Sequence, residues 1–235
     1  DNGTETEVSS DFARDLKSRL QSVEDRREVF RGSGDEFMNG GVPMGGGAPS
    51  VDESFQSEFS CVASDANEGQ FCYGVDAQEV RALFVYQPGE KYERRVFHGP
   101  KQRFTGISVR EEGDGQLWLV SAAQDHGGRR SCVFKPDQGG GVREVTEGDS
   151  LDAFPVWRLG EDRRFVYQTS GIASNLNTGE WMGLGPASIQ EVNLENGEME
   201  PIAEDANYDF LCPAFAPDGT LYYLRRPYEP FSKVS

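Results

Sequence analysis

Short strand-like runs separated by turns recur in sets of four after residue 58, and this repeat limits the possible folds more than any other feature. The runs are rich in β-branched and aromatic residues, and Gly, Asp, Asn or Pro lies between them. Three sets are complete: FSCVAS, QFCYGV, ALFVYQ and RRVFHG; then TGISVR, QLWLVSA, SCVFKP and VREVTE; then FPVWRL, RFVYQT, SIQEVNL and EMEPIAE. A fourth set begins with CPAFAP and LYYLRRP. No helical periodicity interrupts these runs, so the chain is predicted to be all-β from residue 58 onward.

The spacing of three glycines measures the length of the repeat. A glycine precedes the second run of a set at Gly69, Gly115 and Gly219. The first two are 46 residues apart, and the next interval of 104 residues corresponds to two repeats of 52. Four short strands in a unit of roughly 40–50 residues is the pattern of a β-propeller blade. Alternating aromatic residues, among them Trp118 and Trp157, are predicted to fill the wedges between neighbouring blades.

One stretch of the fourth set resembles the repeat motif of TolB-like (WD-like) propellers. Residues 213–223, PAFAPDGTLYY, contain an aromatic strand, a Pro-Asp-Gly turn and a second aromatic-rich strand, in the order of that motif. Residues 153–157, AFPVW, match in part, with Gly-Glu-Asp at 160–162 in place of Pro-Asp-Gly. The resemblance covers about residues 58–227 and implies three blades and part of a fourth, from a six-bladed ring. The missing blades would then belong to the rest of a longer chain or to a second chain.

The resemblance also implies a function, which is that of a rigid, non-catalytic scaffold for protein–protein interaction. TolB-like propellers also form the non-catalytic half of some serine peptidases, and other propellers are sugar lyases with a histidine-rich metal centre. The chain has no Gly-x-Ser-x-Gly, His-Glu-x-x-His or phosphate-binding loop, and its only histidines are His98 and His126. We therefore predict no catalytic residues, no metal site and no cofactor. The alternatives are a small-ligand or metal-binding sensor or enzyme that uses the central pocket, and the propeller half of a larger hydrolase.

The charge balance limits the partners that the chain can bind. Its 235 residues contain 40 Asp and Glu against 23 Lys and Arg, for a formal net charge of −17. Such a charge repels nucleic acid and anionic lipid, and no local basic stripe offsets it. No run approaches the roughly 18 apolar residues of a membrane-spanning helix, and no signal peptide is visible. We expect a cytoplasmic protein, or a periplasmic or secreted one if a signal peptide was removed. The prevalence of arginine over lysine suggests a GC-rich bacterial genome.

Composition divides the chain into three parts. Residues 1–31 are predicted to form an acidic tail and an amphipathic helix, and residues 32–57 a glycine-rich linker. Residues 58–235 hold the predicted propeller blades.

The predicted helix carries a single apolar stripe and ends near Phe30. The stripe residues recur at intervals of four, four and three, and they are Phe12, Leu16, Leu20 and Val23. A stripe this narrow does not hold an isolated helix together in water. We therefore predict that the helix docks on the propeller or on a partner.

Four cysteines are present, at 61, 72, 132 and 212, without the spacing of a zinc site. The runs on either side of residues 65–69 predict a hairpin in which Cys61 lies opposite Cys72. A cross-strand disulfide and two small free thiols both fit this register, and the free thiols are the favoured interpretation.

Acidic residues cluster in the two loops that would join consecutive blades. They are Asp149, Asp152, Glu204, Asp205 and Asp209. Carboxylates in such loops can bind Ca²⁺, but the spacing of a calcium loop is missing. Solvated loop charge is therefore the favoured interpretation.

The third set contains an insertion, SNLNTGEWMGLGP, between RFVYQT and SIQEVNL. In a propeller this loop opens on the same face as the acidic loops. Trp181, Met182 and Leu184 are large apolar residues for a surface loop, and such residues are costly unless something covers them. One interpretation is that Trp181 folds back over the propeller's own channel or a neighbouring blade. The hypothesis that we carry forward is that these residues anchor a partner polypeptide, with Asp149, Asp152, Asp205 and Asp209 favouring basic segments in it.

Overall fold

The structure, a computed structural model, describes residues 10–32, 55–64, 69–78, 80–90, 92–113, 115–160 and 163–230. The predicted acidic tail at residues 1–9 and nearly all of the glycine-rich linker lie outside the described residues. The described part consists mostly of β-strands, with one helix before them. Among the described residues, no helix combines the length and apolarity that crossing a lipid bilayer requires.

Helix α1 spans Asp11–Gly32, which confirms the predicted helix. Ser10 caps it, because the Ser10 hydroxyl accepts a hydrogen bond from the backbone N–H of Ala13 at 3.4 Å. Phe12 and Leu16 pack on the first sheet, whereas Leu20 and Val23 are exposed. The prediction that the helix docks on the sheets is therefore confirmed for Phe12 and Leu16, whereas docking of Leu20 and Val23 on a partner stays a prediction.

The first two predicted sets of strands each form a four-stranded antiparallel sheet in chain order. The first sheet contains β1 Ser57–Ser64, β2 Phe71–Ala77, β3 Val80–Gln87 and β4 Tyr92–Gly99. The second contains β5 Arg103–Glu111, β6 Leu117–Gln124, β7 Arg130–Pro136 and β8 Arg143–Glu144. Each strand coincides with one of the predicted runs.

The third set forms the same kind of sheet, interrupted by a hairpin. Strands β9 Ala153–Trp157 and β10 Arg164–Thr169 are followed by the hairpin strands β11 Ile172–Ser174 and β12 Trp181–Leu184. The sheet then resumes with β13 Ser188–Asn193 and β14 Met199–Ala203, in the order β9-β10-β13-β14. The last sheet pairs β15 Tyr208–Phe215 with β16 Leu221–Pro227.

The sheets stack face against face. Their first strands lie side by side, β1 against β5, β5 against β9 and β9 against β15. Because side chains alternate along a strand, each sheet has one face toward the preceding sheet and one toward the next. The face of the first sheet with Cys72, Leu83 and Val85 packs on residues of the second sheet, which include Leu117, Leu119 and Phe104. The core therefore consists of layers between consecutive sheets.

Aromatic side chains fill the layer between the second and third sheets. The Trp157 ring lies 6.3 Å from the Trp118 ring and 6.5 Å from the Phe134 ring, measured between centroids. The Trp157 indole N–H also donates a hydrogen bond to the Trp118 carbonyl oxygen at 3.1 Å. The prediction that Trp118 and Trp157 pack between sheets is confirmed.

The predicted register of Cys61 and Cys72 is wrong. Cys61 lies opposite Gly74, and Cys72 lies opposite Ala63. The reason is that β1 continues to Ser64 and β2 begins only at Phe71, which makes the connection longer than the sequence pattern indicates. Both cysteines are free thiols, and burial raises the pKa of the Cys61 thiol to about 11. The favoured interpretation of free thiols is confirmed.

Candidate functional site

The hairpin formed by β11 and β12 stands out from the third sheet and ends in a tight turn. The side-chain oxygen of Asn175 accepts hydrogen bonds from the backbone N–H groups of Asn177 at 2.9 Å and Thr178 at 3.2 Å. Gly179 closes the turn with a φ of 69°, and its N–H donates to the Asn175 carbonyl oxygen at 2.8 Å. The side-chain chemistry of Asn and Gly therefore gives this insertion a defined conformation.

Backbone hydrogen bonds fasten the base of the hairpin to the loop that joins the second and third sheets. The Ile172 N–H donates to the Asp149 carbonyl oxygen at 2.7 Å, and the Leu151 N–H donates to the Ser170 carbonyl oxygen at 2.9 Å. The two ends of the hairpin are joined by the Gly185 N–H and the Gly171 carbonyl oxygen, at 2.9 Å. The structure thus places the hairpin beside the Asp149 loop, as the sequence predicted.

The far side of the hairpin is fastened to the last sheet. The Tyr228 hydroxyl donates a hydrogen bond to the Leu184 carbonyl oxygen. The Asp209 side chain accepts a hydrogen bond from the Ala187 N–H at 2.9 Å, and the Phe210 N–H donates to the Ala187 carbonyl oxygen at 2.8 Å. The hairpin is therefore held from two sides, by the loop between the second and third sheets and by the last sheet together with Tyr228, which follows it.

The predicted anchor residues lie on β12. Trp181 is 40% exposed and Met182 is 60% exposed, whereas Leu184 is only partly exposed near the base. The pairing of β11 with β12 is irregular here, since Ala173 lies opposite Gly183 and Ser174 lies opposite Trp181. Met182 is therefore the extra residue of a β-bulge, an irregularity that re-aims side chains.

Three of the five acidic loop residues, Asp149, Glu204 and Asp205, are exposed. Asp149 accepts a hydrogen bond from the Arg129 guanidinium at 3.1 Å, so part of its charge is neutralised. Asp205 accepts a hydrogen bond from the Asn207 N–H at 2.7 Å, which shapes its own loop.

The other two predicted acidic residues are buried, so the interpretation of solvated loop charge is wrong for Asp152 and Asp209. Asp152 is 1% exposed and accepts hydrogen bonds from the hydroxyls of Thr146 and Thr169, the latter at 2.6 Å. Burial raises the pKa of the Asp152 carboxyl above its ordinary value. Asp209 accepts a hydrogen bond from the Arg226 guanidinium at 3.0 Å in addition to the one from Ala187. Both carboxylates form hydrogen bonds within the molecule, and neither is exposed to a partner.

Sequence reasoning missed two residues of this site. Leu176 lies at the tip of the hairpin turn with its side chain fully exposed, and the signal for it was the Asn-Leu-Asn-Thr-Gly turn that presents it. Tyr228 fastens the hairpin from a position 44 residues away from Leu184, and no local pattern reveals such a contact.

Other features bear on ligand binding. A cleft of about 960 Å³ lies between α1 and the first sheet, lined by charged residues of both signs that include Arg14, Lys17, Asp76, Arg81 and Arg103. Within the part of the chain that the structure describes, no three His, Cys, Asp or Glu side chains converge as metal ligands do.

Among the comparisons with known proteins, only the one with solved structures found proteins similar to this chain. No protein-family model matches the chain, and no curated protein matches its sequence. A proposed TolB protein from Agrobacterium tumefaciens is 16% identical over 74% of this chain and 59% of its own, with a TM-score of 0.49. An oligogalacturonate lyase from Vibrio parahaemolyticus is 13% identical over 71% of this chain and 46% of its own, with a TM-score of 0.48. A proposed dipeptidyl aminopeptidase IV from Bacteroides ovatus is 14% identical over 73% and 26%, with a TM-score of 0.47. The chain spans less than two thirds of each of these proteins.

Proposed function

We propose that this chain is a non-catalytic β-propeller portion that serves as a scaffold for protein–protein interaction, and that the β11–β12 hairpin contacts the partner. The observation that carries the proposal is a hairpin fixed at its base that exposes Trp181 and Met182. Exposed apolar side chains on a surface loop are costly in water, and tryptophan is among the residues that contribute most to protein interfaces. A fixed hairpin also loses little conformational entropy when it binds.

We assign three blades and part of a fourth to a six-bladed ring of the TolB-like type. In support, three four-stranded sheets stack with their first strands side by side, and a pair of strands follows with the Pro-Asp-Gly motif between them. In this assignment residues 1–31 are a tail and helix, 32–57 a linker and 58–235 the blades. The missing blades come from the rest of a longer chain or from a second chain.

The proposed partner presents basic segments to the hairpin. Asp149 and Asp205 are exposed on this side of the molecule, and the whole chain has a net charge of −17. An acidic surface speeds the approach of a basic segment and repels acidic competitors. Free cysteines agree with the reducing cytoplasm, and we place the protein there.

The test is recovery of binding partners from the producing cell by the Trp181→Ala variant. We expect lost partner recovery with an almost unchanged melting temperature, because Trp181 is substantially exposed. Tyr92→Ala is the matched control, since Tyr92 is an exposed aromatic residue on the first sheet. A clear drop in melting temperature with partners retained would make Trp181 structural and refute the proposal.

A further inference from the structure

Phe154, the second residue of β9, has a backbone conformation that residues with a side chain rarely adopt. Its φ is 51°. A positive φ costs free energy in any residue that has a side chain, and a bulky residue makes it a clear outlier, so glycine is the expected residue here. The Phe154 ring gains little in return, because it is 50% exposed and belongs to none of the apolar clusters that the described residues form.

A β-bulge accounts for the backbone conformation at this position. In the pairing of β9 with β10, Phe154 and Pro155 together lie opposite the single residue Tyr167. The last sheet has the same arrangement in β15, where Cys212 has a φ of 53° and also precedes a proline. The bulge therefore explains the positive φ, but it does not require a phenylalanine.

The exposure of Phe154 does not come from a missing neighbour of its sheet. On one side Gly106 of β5 lies so close to β9 that a Cβ atom there would be 3.5 Å from the Pro155 Cδ atom. On the other side β15 contacts β9. Described strands thus flank Phe154 on both sides, and its ring lies at the surface of the row formed by the first strands of the sheets.

The segment before Phe154 runs beside the base of the β11–β12 hairpin. The Leu151 N–H donates a hydrogen bond to the Ser170 carbonyl oxygen at 2.9 Å. Ser150 forms an antiparallel bridge with Gly171, the residue directly before β11. Phe154 and the hairpin therefore belong to the same end of the third sheet.

An exposed carboxylate lies where this segment meets the hairpin. The Asp149 carbonyl oxygen accepts the hydrogen bond from the Ile172 N–H at the beginning of β11. The Asp149 side chain is 66% exposed, and its partner Arg129 is 55% exposed. An ion pair as exposed as this one contributes little to stability, so Asp149 can exchange Arg129 for a cation of another protein at low cost.

We propose that Phe154 is a second anchor of the partner-binding surface, and that the partner contributes an extended segment with a basic side chain between two apolar ones. The inference rests on the function proposed for the hairpin and extends it to a second element of the fold. One apolar side chain of the segment contacts Trp181 and the other contacts Phe154, while the basic side chain contacts Asp149. Aromatic residues are enriched in protein interfaces, and complementary charges orient the partners. This contact gives the strained Phe154 a function that glycine cannot supply.

The first test separates the strain at Phe154 from its contact with the partner. Phe154→Gly relieves the positive φ, so the melting temperature should stay at the wild-type value or rise. Contact is measured in producing cells with a photoreactive amino acid in place of Met182, and the yield of crosslinked protein should fall at least about fivefold in Phe154→Gly. Gln78→Gly is the matched control, because Gln78 has a φ of 56° in the exposed turn between β2 and β3 and should leave the yield unchanged.

The second test concerns the basic side chain of the partner. Asp149→Asn removes the exposed charge and should lower the same crosslinking yield severalfold. Asp125→Asn is the matched control, since Asp125 is the other carboxylate that pairs with Arg129, and it should leave the yield unchanged. An unchanged yield in Asp149→Asn would overturn the proposed basic segment.

The third test places the photoreactive amino acid at position 154 itself. Mass spectrometry should identify the same crosslinked protein from positions 154 and 182. A product from position 182 that is absent at position 154 would overturn this inference and leave the function of the hairpin standing. An unchanged yield in Phe154→Gly, or a clear drop in its melting temperature, would overturn the inference in the same way, whereas no product at either position would overturn both proposals.

Discussion

Two segments lie outside the stacked sheets, the helix α1 and the β11–β12 hairpin, and they treat their apolar residues in opposite ways. Phe12 and Leu16 of the helix pack against the first sheet. The carboxylate of Glu93 on β4 accepts hydrogen bonds from the N-terminal backbone N–H groups of the helix. The hairpin is fastened by backbone hydrogen bonds at its base and exposes Trp181 and Met182. Apolar side chains thus hold one segment in place, whereas those of the other segment are substantially exposed.

The largest effect is expected beneath α1. Phe84→Ala removes a buried ring that contacts both Phe12 and Tyr73, and large-to-small changes of this kind cost about 3–5 kcal/mol. Urea unfolding should show this loss of stability, and hydrogen exchange should show faster exchange in the first turns of α1. Leu176→Ala at the hairpin tip is the control and should change the free energy of unfolding by less than about 0.5 kcal/mol. Equal effects of the two changes would contradict the comparison.

The next effect concerns the buried carboxylate near the hairpin base. Burial raises the pKa of Asp152 above its ordinary value of 3.8, so the native state holds this proton more tightly than the unfolded state. The wild type should therefore lose stability relative to Asp152→Asn as the pH rises from about 3.8 through the raised native pKa. The loss amounts to about 1.4 kcal/mol for each unit by which the pKa is raised.

Urea unfolding of both proteins at a series of pH values measures the difference. Asp205→Asn, the same chemical change at an exposed position, is the matched control. A difference between wild type and Asp152→Asn that stays constant with pH would show that the carboxyl is not perturbed by burial.

A smaller effect is expected from the contact that fastens the hairpin to the last sheet. Tyr228→Phe removes the hydroxyl that donates to the Leu184 carbonyl oxygen, and one such hydrogen bond contributes about 0.5–1.5 kcal/mol. Amides of β11 and β12 should exchange faster, while those of α1 remain unchanged. Faster exchange in both segments would mean that the hairpin and the helix are not independent.

The smallest effect is expected from added calcium. Asp149 is paired with Arg129 and Asp152 is buried, so the acidic loops offer few free oxygen ligands in one place. A thermal-shift series with Ca²⁺, Mn²⁺ and sugars should change the melting temperature by less than about one degree, as expected for surface charge screening alone. A shift of several degrees that Asp149→Ala or Asp205→Ala removes would favour a ligand-binding function instead.

The strands could be predicted from the sequence because alternation and turn residues are local signals. All four sets of runs became sheets in chain order, and the aromatic residues predicted to lie between sheets do so at Trp118 and Trp157. The register of Cys61 could not be predicted, because it depends on how far two strands extend before the turn.

The candidate site was predicted only in part. An insertion that carries Trp181, Met182 and Leu184 follows from its composition, but the exposure of each residue depends on neighbours that are distant in sequence. Asp152 is buried because Thr146 and Thr169 supply donors, and Asp209 because Ala187 and Arg226 do. The apolar stripe of α1 likewise does not reveal that only Phe12 and Leu16 pack on the sheet, whereas Leu20 and Val23 are exposed.

We predict that the apolar residues of the hairpin contact a partner, and photo-crosslinking in the producing cells detects such a contact at a single residue. A photoreactive amino acid replaces Met182 in one variant and Tyr92, an exposed residue on the first sheet, in another. We expect a discrete crosslinked protein from position 182 that is absent at position 92 and is lost when Trp181→Ala is added. Crosslinks confined to this chain itself, or the same products from both positions, would contradict it.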